Sequence, residues 1–161
     1  MSVVGEGALH ISTWSEIEAL ARKLADDVWQ SDFAPTAVVG VLRGGAIPAV
    51  LVAYRLSITN VAMVHTSVEV VKAVRSDVSG RPRRQSSGLL GQAILVVDDV
   101  VATGATLAAA KKAVREALPS EVRTAALYRD MVPRDNVEGD VCDVDFVGMS
   151  VHAWLDFPWE D

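Results

Sequence analysis

The segment 36–42, TAVVGVL, carries apolar side chains at consecutive rather than alternating positions. A strand built this way has no polar face to turn toward water. It belongs in a sheet covered by helices on both sides, which is how parallel sheets are buried. The segment 92–98, QAILVVD, gives the clearest strand signal in the chain. Further strands are expected over 60–65, 122–128 and 144–149. Between them run helical patterns. Ile17, Leu20, Leu24 and Val28 recur at helical spacing, after Thr13 and Glu16 at capping-box spacing. Residues 46–56 read as a buried helix with Pro48 in its first turn. Residues 106–118 read as a third, with Leu107, Ala110, Val114 and Ala117 on one face and Pro119 beyond its end. The alternation predicts an α/β fold with a doubly wound, mainly parallel sheet.

The chain has 161 residues, half of them hydrophobic, and no linker or internal repeat. A single domain over 1–161 is expected. The net charge of −6 argues against a general nucleic-acid binder, which needs a cationic footprint. It leaves room for a small anionic ligand. The lone cysteine, Cys142, has no partner for an internal disulfide and reads as a small buried hydrophobe. No signal peptide is evident, and no apolar stretch is long enough to span a bilayer, so a cytoplasmic location without membrane contact is the expectation. Two segments break the pattern. Residues 74–90 are rich in Ser, Gly and Arg and read as a long mobile loop or a β-ribbon. Residues 150–161 hold Trp154, Phe157, Pro158 and Trp159, too aromatic for a loose end, and should pack as a hood.

The chemistry concentrates in 96–106, VVDDVVATGAT. An apolar strand is expected to end at Asp98 and Asp99, followed by a turn holding Thr103, Gly104, Ala105 and Thr106, and then by a helix. Ligands of open α/β sheets bind outside such strand ends. Loop N–H groups and a helix N-terminus form an anion site. Gly104 lets the backbone approach a phosphate, and the threonines add hydroxyl donors. The carboxylates suit the vicinal hydroxyls of a ribose and can also hold Mg²⁺. The plainer alternative is an ordinary strand–turn–helix with a solvated aspartate pair.

This segment resembles the phosphoribosyl-pyrophosphate (PRPP) signature of type I phosphoribosyltransferases. The stretch 39–56, VGVLRGGAIPAVLVAYRL, resembles their pyrophosphate loop. The tail 152–161, HAWLDFPWED, resembles the hood of their xanthine/guanine-type members. The resemblance implies transfer of phosphoribosyl from PRPP to guanine, xanthine or hypoxanthine, with Mg²⁺ as cofactor. It implies that Asp98 and Asp99 hold the ribose and the metal. Ala102, Thr103, Gly104, Ala105 and Thr106 would wrap the 5′-phosphate. Leu42, Arg43, Gly44 and Gly45 would hold pyrophosphate, with a cis Leu42–Arg43 peptide and Arg43 charging the leaving group. Trp154 would stack on the base, backbone near Leu155 would read its edge, and Arg129 would contact its exocyclic oxygen. Asp156 faces either the metal or solvent, and His152 is placed near the base pocket. A homo-oligomer, dimer or tetramer, is expected, with Trp14, Trp29 or Trp159 as candidate interface residues.

Three departures bear on the acceptor. Ala102 stands where the 6-oxopurine enzymes usually carry an Asp for the purine N7 proton. Arg129 replaces a customary Lys, keeping the charge but not the geometry. Residues 66–69, TSVE, lack the Ser-Tyr pair often seen in the mobile loop. These leave PRPP binding intact and base specificity open. Transfer to another nitrogen acceptor, or a non-catalytic PRPP- or nucleotide-sensing module, are the alternatives.

Overall fold

The computed structural model describes residues 8–65, 88–131 and 143–160. The expected loop lies outside these residues as far as position 87, as do residues 66–69 and Cys142. In chain order the elements are β1 (Leu9–Ile11), α1 (Trp14–Gln30), β2 (Ala37–Val41), α2 (Ala46–Arg55), β3 (Val61–Val64), β4 (Ala93–Val101), α3 (Ala105–Arg115), β5 (Glu121–Asp130), β6 (Phe146–Val151) and β7 (Trp154–Asp156).

Five strands form one sheet in the order β3-β2-β4-β5-β6, every neighbouring pair parallel. Period-two alternation sorts its side chains between two cores. Val38, Leu95, Val97, Ala125 and Leu127 face α1 and α2. Ala37, Val39, Val41, Ile94, Val96 and Ala126 face Leu107, Ala110 and Val114 of α3. All of β2 is buried, as its apolar run requires. The chain passes from β2 out to β3 and returns to the other side of β2 as β4. The topological switch point therefore lies between β2 and β4, where open α/β sheets bind ligands.

α1 starts as its sequence directs. Thr13 accepts the Glu16 N–H at 3.2 Å, and Ile17, Leu20, Leu24 and Val28 are buried. Glu16 does not complete a capping box, because its carboxylate binds His10 Nε2 at 3.0 Å. β4 runs three residues past its expected end. Val100 and Val101 stay paired with Tyr128 and Arg129 of β5, so Asp98 and Asp99 lie within the strand rather than after it. α3 begins one residue earlier than expected and ends sooner. Leu118 adopts a left-handed φ of 53° beyond it.

β1 had no counterpart in the sequence reading. It pairs parallel with β7, Leu9 opposite Trp154 and Ile11 opposite Asp156. The hood is thus a two-stranded ribbon drawn from both ends of the described chain. Ser12, directly after β1, donates to the Tyr128 hydroxyl at 2.9 Å in a buried contact, and burial pushes the Tyr128 phenol up to about 12. Phe157 meets Tyr128 edge-on and stacks on Trp159, which packs against Trp14. Aromatic rings and one buried hydroxyl pair therefore tie the hood to the sheet. Among the described residues no helix is long and apolar enough to cross a membrane.

Tyr128→Phe removes the acceptor from Ser12, which is 2% exposed. It should lower the unfolding free energy by about 1–2 kcal/mol in urea denaturation. An unchanged value would mean that the hydroxyl pair contributes nothing to seating the hood.

Candidate active site

The switch point brings two distant motifs together. β2 and β4 are paired only as far as Gly40 and Val97. Beyond Val97, the turn after β2 lies along β4. A Cβ at Gly45 would sit 2.6 Å from the Val41 carbonyl oxygen and 2.7 Å from that of Val97. A Cβ at Gly44 would fall on the Asp99 carboxylate. No residue larger than glycine permits this approach, so RGG and DD form one structure although they are 55 positions apart in sequence (Gly44 to Asp99). The Leu42–Arg43 peptide is cis. Arg43 is exposed, and among the described residues no ion pair or hydrogen bond ties its guanidinium.

The carboxylates are held close to the backbone. Asp98 Oδ1 accepts the Asp99 N–H at 2.9 Å, and Asp99 Oδ1 accepts the Val100 N–H at 2.8 Å. Asp98 is only 6% exposed. Burial, reinforced by the neighbouring charge of Asp99, raises its affinity for a proton well above that of an ordinary carboxylate. Burial also raises Asp99. Two like charges in a poorly solvated cleft resist ionising together.

After β4 the chain turns through Ala102 and Thr103 to Gly104, whose φ of +81° is left-handed and suits glycine. α3 starts at Ala105, and Thr103 Oγ1 accepts the Ala105 N–H at 3.3 Å. The first N–H groups of α3 point out of its N-terminus without helical partners. A cleft of about 350 Å³ opens here. Of the residues singled out from sequence, Asp98, Asp99, Ala102, Thr103, Gly104, Thr106, Trp154 and Leu155 line it. Trp154 is 58% exposed.

Other positions differ from expectation. Arg129 is not among the lining residues. Its guanidinium lies 3.6 Å from the Asp143 carboxylate. Adjacent strand residues point to opposite faces, and it is Asp130 that lines the cleft. His152 is exposed and does not line it. Asp156 is held in the ribbon opposite Ile11. Leu42, Arg43, Gly44, Gly45 and Ala105 lie outside the lining, the two glycines touching its floor from behind. The sequence reading did not select Asp130, Phe157 or Glu160 as cleft residues. Glu160 Oε2 accepts the Phe157 N–H at 3.2 Å, a local turn foreshadowed by its spacing in FPWE.

The proton affinity of Asp98 has a consequence for stability. The folded protein binds a proton there more tightly than the unfolded chain, so ionisation destabilises the fold as pH rises above the usual carboxylate range. Asp98→Asn keeps the acceptor for Asp99 N–H and removes the charge. Thermal melts should show the variant more stable than the parent by about 1–3 kcal/mol near pH 8.5 and equal to it near pH 4. A gain independent of pH would contradict the buried-charge account.

The sequence matches the phosphoribosyl transferase domain family over residues 8–158. It is 30% identical to a xanthine-guanine phosphoribosyltransferase of Cereibacter sphaeroides, over 96% of this chain and 88% of that protein. It is 31% identical to one of Chromohalobacter salexigens, over 92% and 82% respectively. In fold it resembles the crystal structure of a purine phosphoribosyltransferase from Pyrococcus horikoshii, with a TM-score of 0.72 at 24% identity, covering 95% of this chain and 94% of the other. With an aspartate pair and a glycine turn meeting at the switch point of a parallel sheet, and a family match spanning nearly its whole length, the chain belongs to the phosphoribosyltransferases.

Proposed function

We propose that the protein transfers the phosphoribosyl group of PRPP to a 6-oxopurine (guanine, xanthine or hypoxanthine) and releases pyrophosphate, a purine-salvage reaction. The observation that carries this reading is the cleft itself. An acidic floor, a helix N-terminus and an exposed hood tryptophan open into one space. The xanthine-guanine enzymes among its relatives support a purine as acceptor.

In this reading the N–H groups of 102–106 bind the 5′-phosphate through the turn and the helix dipole. Asp98 and Asp99 accept hydrogen bonds from the ribose hydroxyls. Their donor set also fits Mg²⁺: two hard carboxylates side by side, and no cage of three or more ligating side chains among the described residues. Mg²⁺ typically uses one or two carboxylates and takes its remaining ligands from water and substrate phosphate. When bound it offsets the charge that builds on pyrophosphate. Arg43, exposed beside the acidic floor, adds cationic charge on the leaving-group side. Trp154 stacks on the base and Leu155 shields its edge. Holding C1′ and the base nitrogen in line supplies most of the acceleration by positioning. Exclusion of water by the hood protects the cationic ribose from hydrolysis.

Incubation with PRPP, Mg²⁺ and single bases should yield nucleotide from at least one 6-oxopurine. Product only from adenine, orotate or uracil would reassign the acceptor, and PRPP binding without turnover of any base would indicate a sensor. Independently, calorimetry on the Asp98→Asn/Asp99→Asn double variant should show Mg²⁺-dependent PRPP affinity reduced by about 100-fold or more. Unchanged affinity would remove the ribose-clamp assignment.

A further inference from the structure

The transfer proposed above leaves one chemical requirement unassigned. A neutral purine carries a proton on its imidazole ring. When one ring nitrogen bonds to C1′, the proton on the other must leave, and a positioned base speeds such a step by about 10²–10⁴-fold. Ala102, at the head of the phosphate turn, has no group that can accept it.

Among the described residues, Asp98, Asp99, Asp130 and Glu160 are the carboxylates lining the cleft. Asp98 and Asp99 are packed against the Gly44–Gly45 turn and serve the ribose. Glu160 is exposed, caps the Phe157 N–H, and exerts its charge on Asp99, which places it on the same acidic side. Asp130 occupies a different place. It is the last residue of β5 and half-buried. On one side β5 keeps register with β4, Val100 opposite Tyr128 and Val101 opposite Arg129. Extending that register by one step sets Ala102 beside Asp130. On the other side Asp130 pairs with Val151, and Met131 N donates to Val151 O at 2.7 Å. Trp154 follows Val151 by three positions and opens the hood strand. Asp130 therefore sits between the phosphate turn and the root of the hood. A base joined to C1′ and stacked on Trp154 must occupy that interval. The neighbouring Arg129 is turned to Asp143 instead.

We infer that Asp130 is the general base of the transfer, taking the imidazole proton of the purine from the position beside Ala102. The lone pair of the attacking ring nitrogen forms the bond to C1′. The bond from C1′ to the pyrophosphate oxygen breaks, and its electron pair leaves with pyrophosphate. The proton on the second ring nitrogen passes to the Asp130 carboxylate. No oxidant or further reactant is consumed. The inference rests on the purine-transfer reading.

The test is steady-state kinetics of the full chain with the best 6-oxopurine, from about pH 5 to 9, alongside PRPP binding by calorimetry. Asp130→Asn should lower kcat by about 100-fold or more across this range. PRPP affinity should stay within about twofold, marking an intact site. Asp130→Glu should recover most of the loss. Ala102→Asp added to Asp130→Asn should regain about tenfold or more, by offering the carboxylate from the adjacent strand. Two results overturn the inference while leaving purine transfer in place: Asp130→Asn within about threefold of the parent, or activity and PRPP affinity lost together. If the parent protein converts no purine at all, the purine-transfer reading has failed, and the inference fails with it.

Discussion

The close approach of the Gly44–Gly45 turn to β4 is the constraint on which the site depends. β2 and β4 separate after Val97, and the turn following β2 fills the edge that separation exposes. Side chains at either glycine would strike the Val41 and Val97 carbonyls or the Asp99 carboxylate. Their absence lets two loops from opposite sides of the switch point share one floor. The leaving-group side and the ribose side of the reaction can then be held against each other by backbone, which moves less than side chains do.

The same packing makes the floor electrostatically costly. Asp98 and Asp99 lose water on burial, and the charge of Asp99 further resists ionisation of Asp98. In the free protein the carboxylate pair favours holding a proton. In the proposed reaction a cation and a sugar diol would supply what water no longer does, so binding would draw on an interaction that folding left unfavourable. Functional sites commonly carry such local penalties, offset by the rest of the fold. Here the offset is the sheet, whose two faces bury alternate residues of β2, β4 and β5 without interruption.

The hood shows a different economy. It consists of two three-residue strands, too short to stand alone. The Ser12–Tyr128 hydroxyl contact and the Tyr128–Phe157–Trp159–Trp14 run of rings attach it to β5 and α1. His10 contributes by binding Glu16 and packing on Tyr128. The hood residues that line the cleft are therefore positioned by contacts from both ends of the described chain.

Much of this was legible in the sequence because it is written in short range. Consecutive apolar residues marked β2 and β4, helical spacing marked α1 and α3, and DDVVATGAT marked a strand, a glycine turn and a helix start. The cis peptide at Leu42–Arg43 followed from family likeness rather than from any local pattern. What tertiary structure decided is long range. β4 extends through its aspartates because β5 continues to pair with it. β1 exists because β7 offers it an edge, and three residues carry too little periodicity to reveal that. Arg129 and Asp130 are adjacent in sequence, so composition could not tell which one meets the cleft. Strand alternation decides it: Asp130, not Arg129, lines the cleft. Local periodicity thus determined the elements and the glycine turn after β4, whereas the charge that faces the cleft was decided by which strands lie side by side.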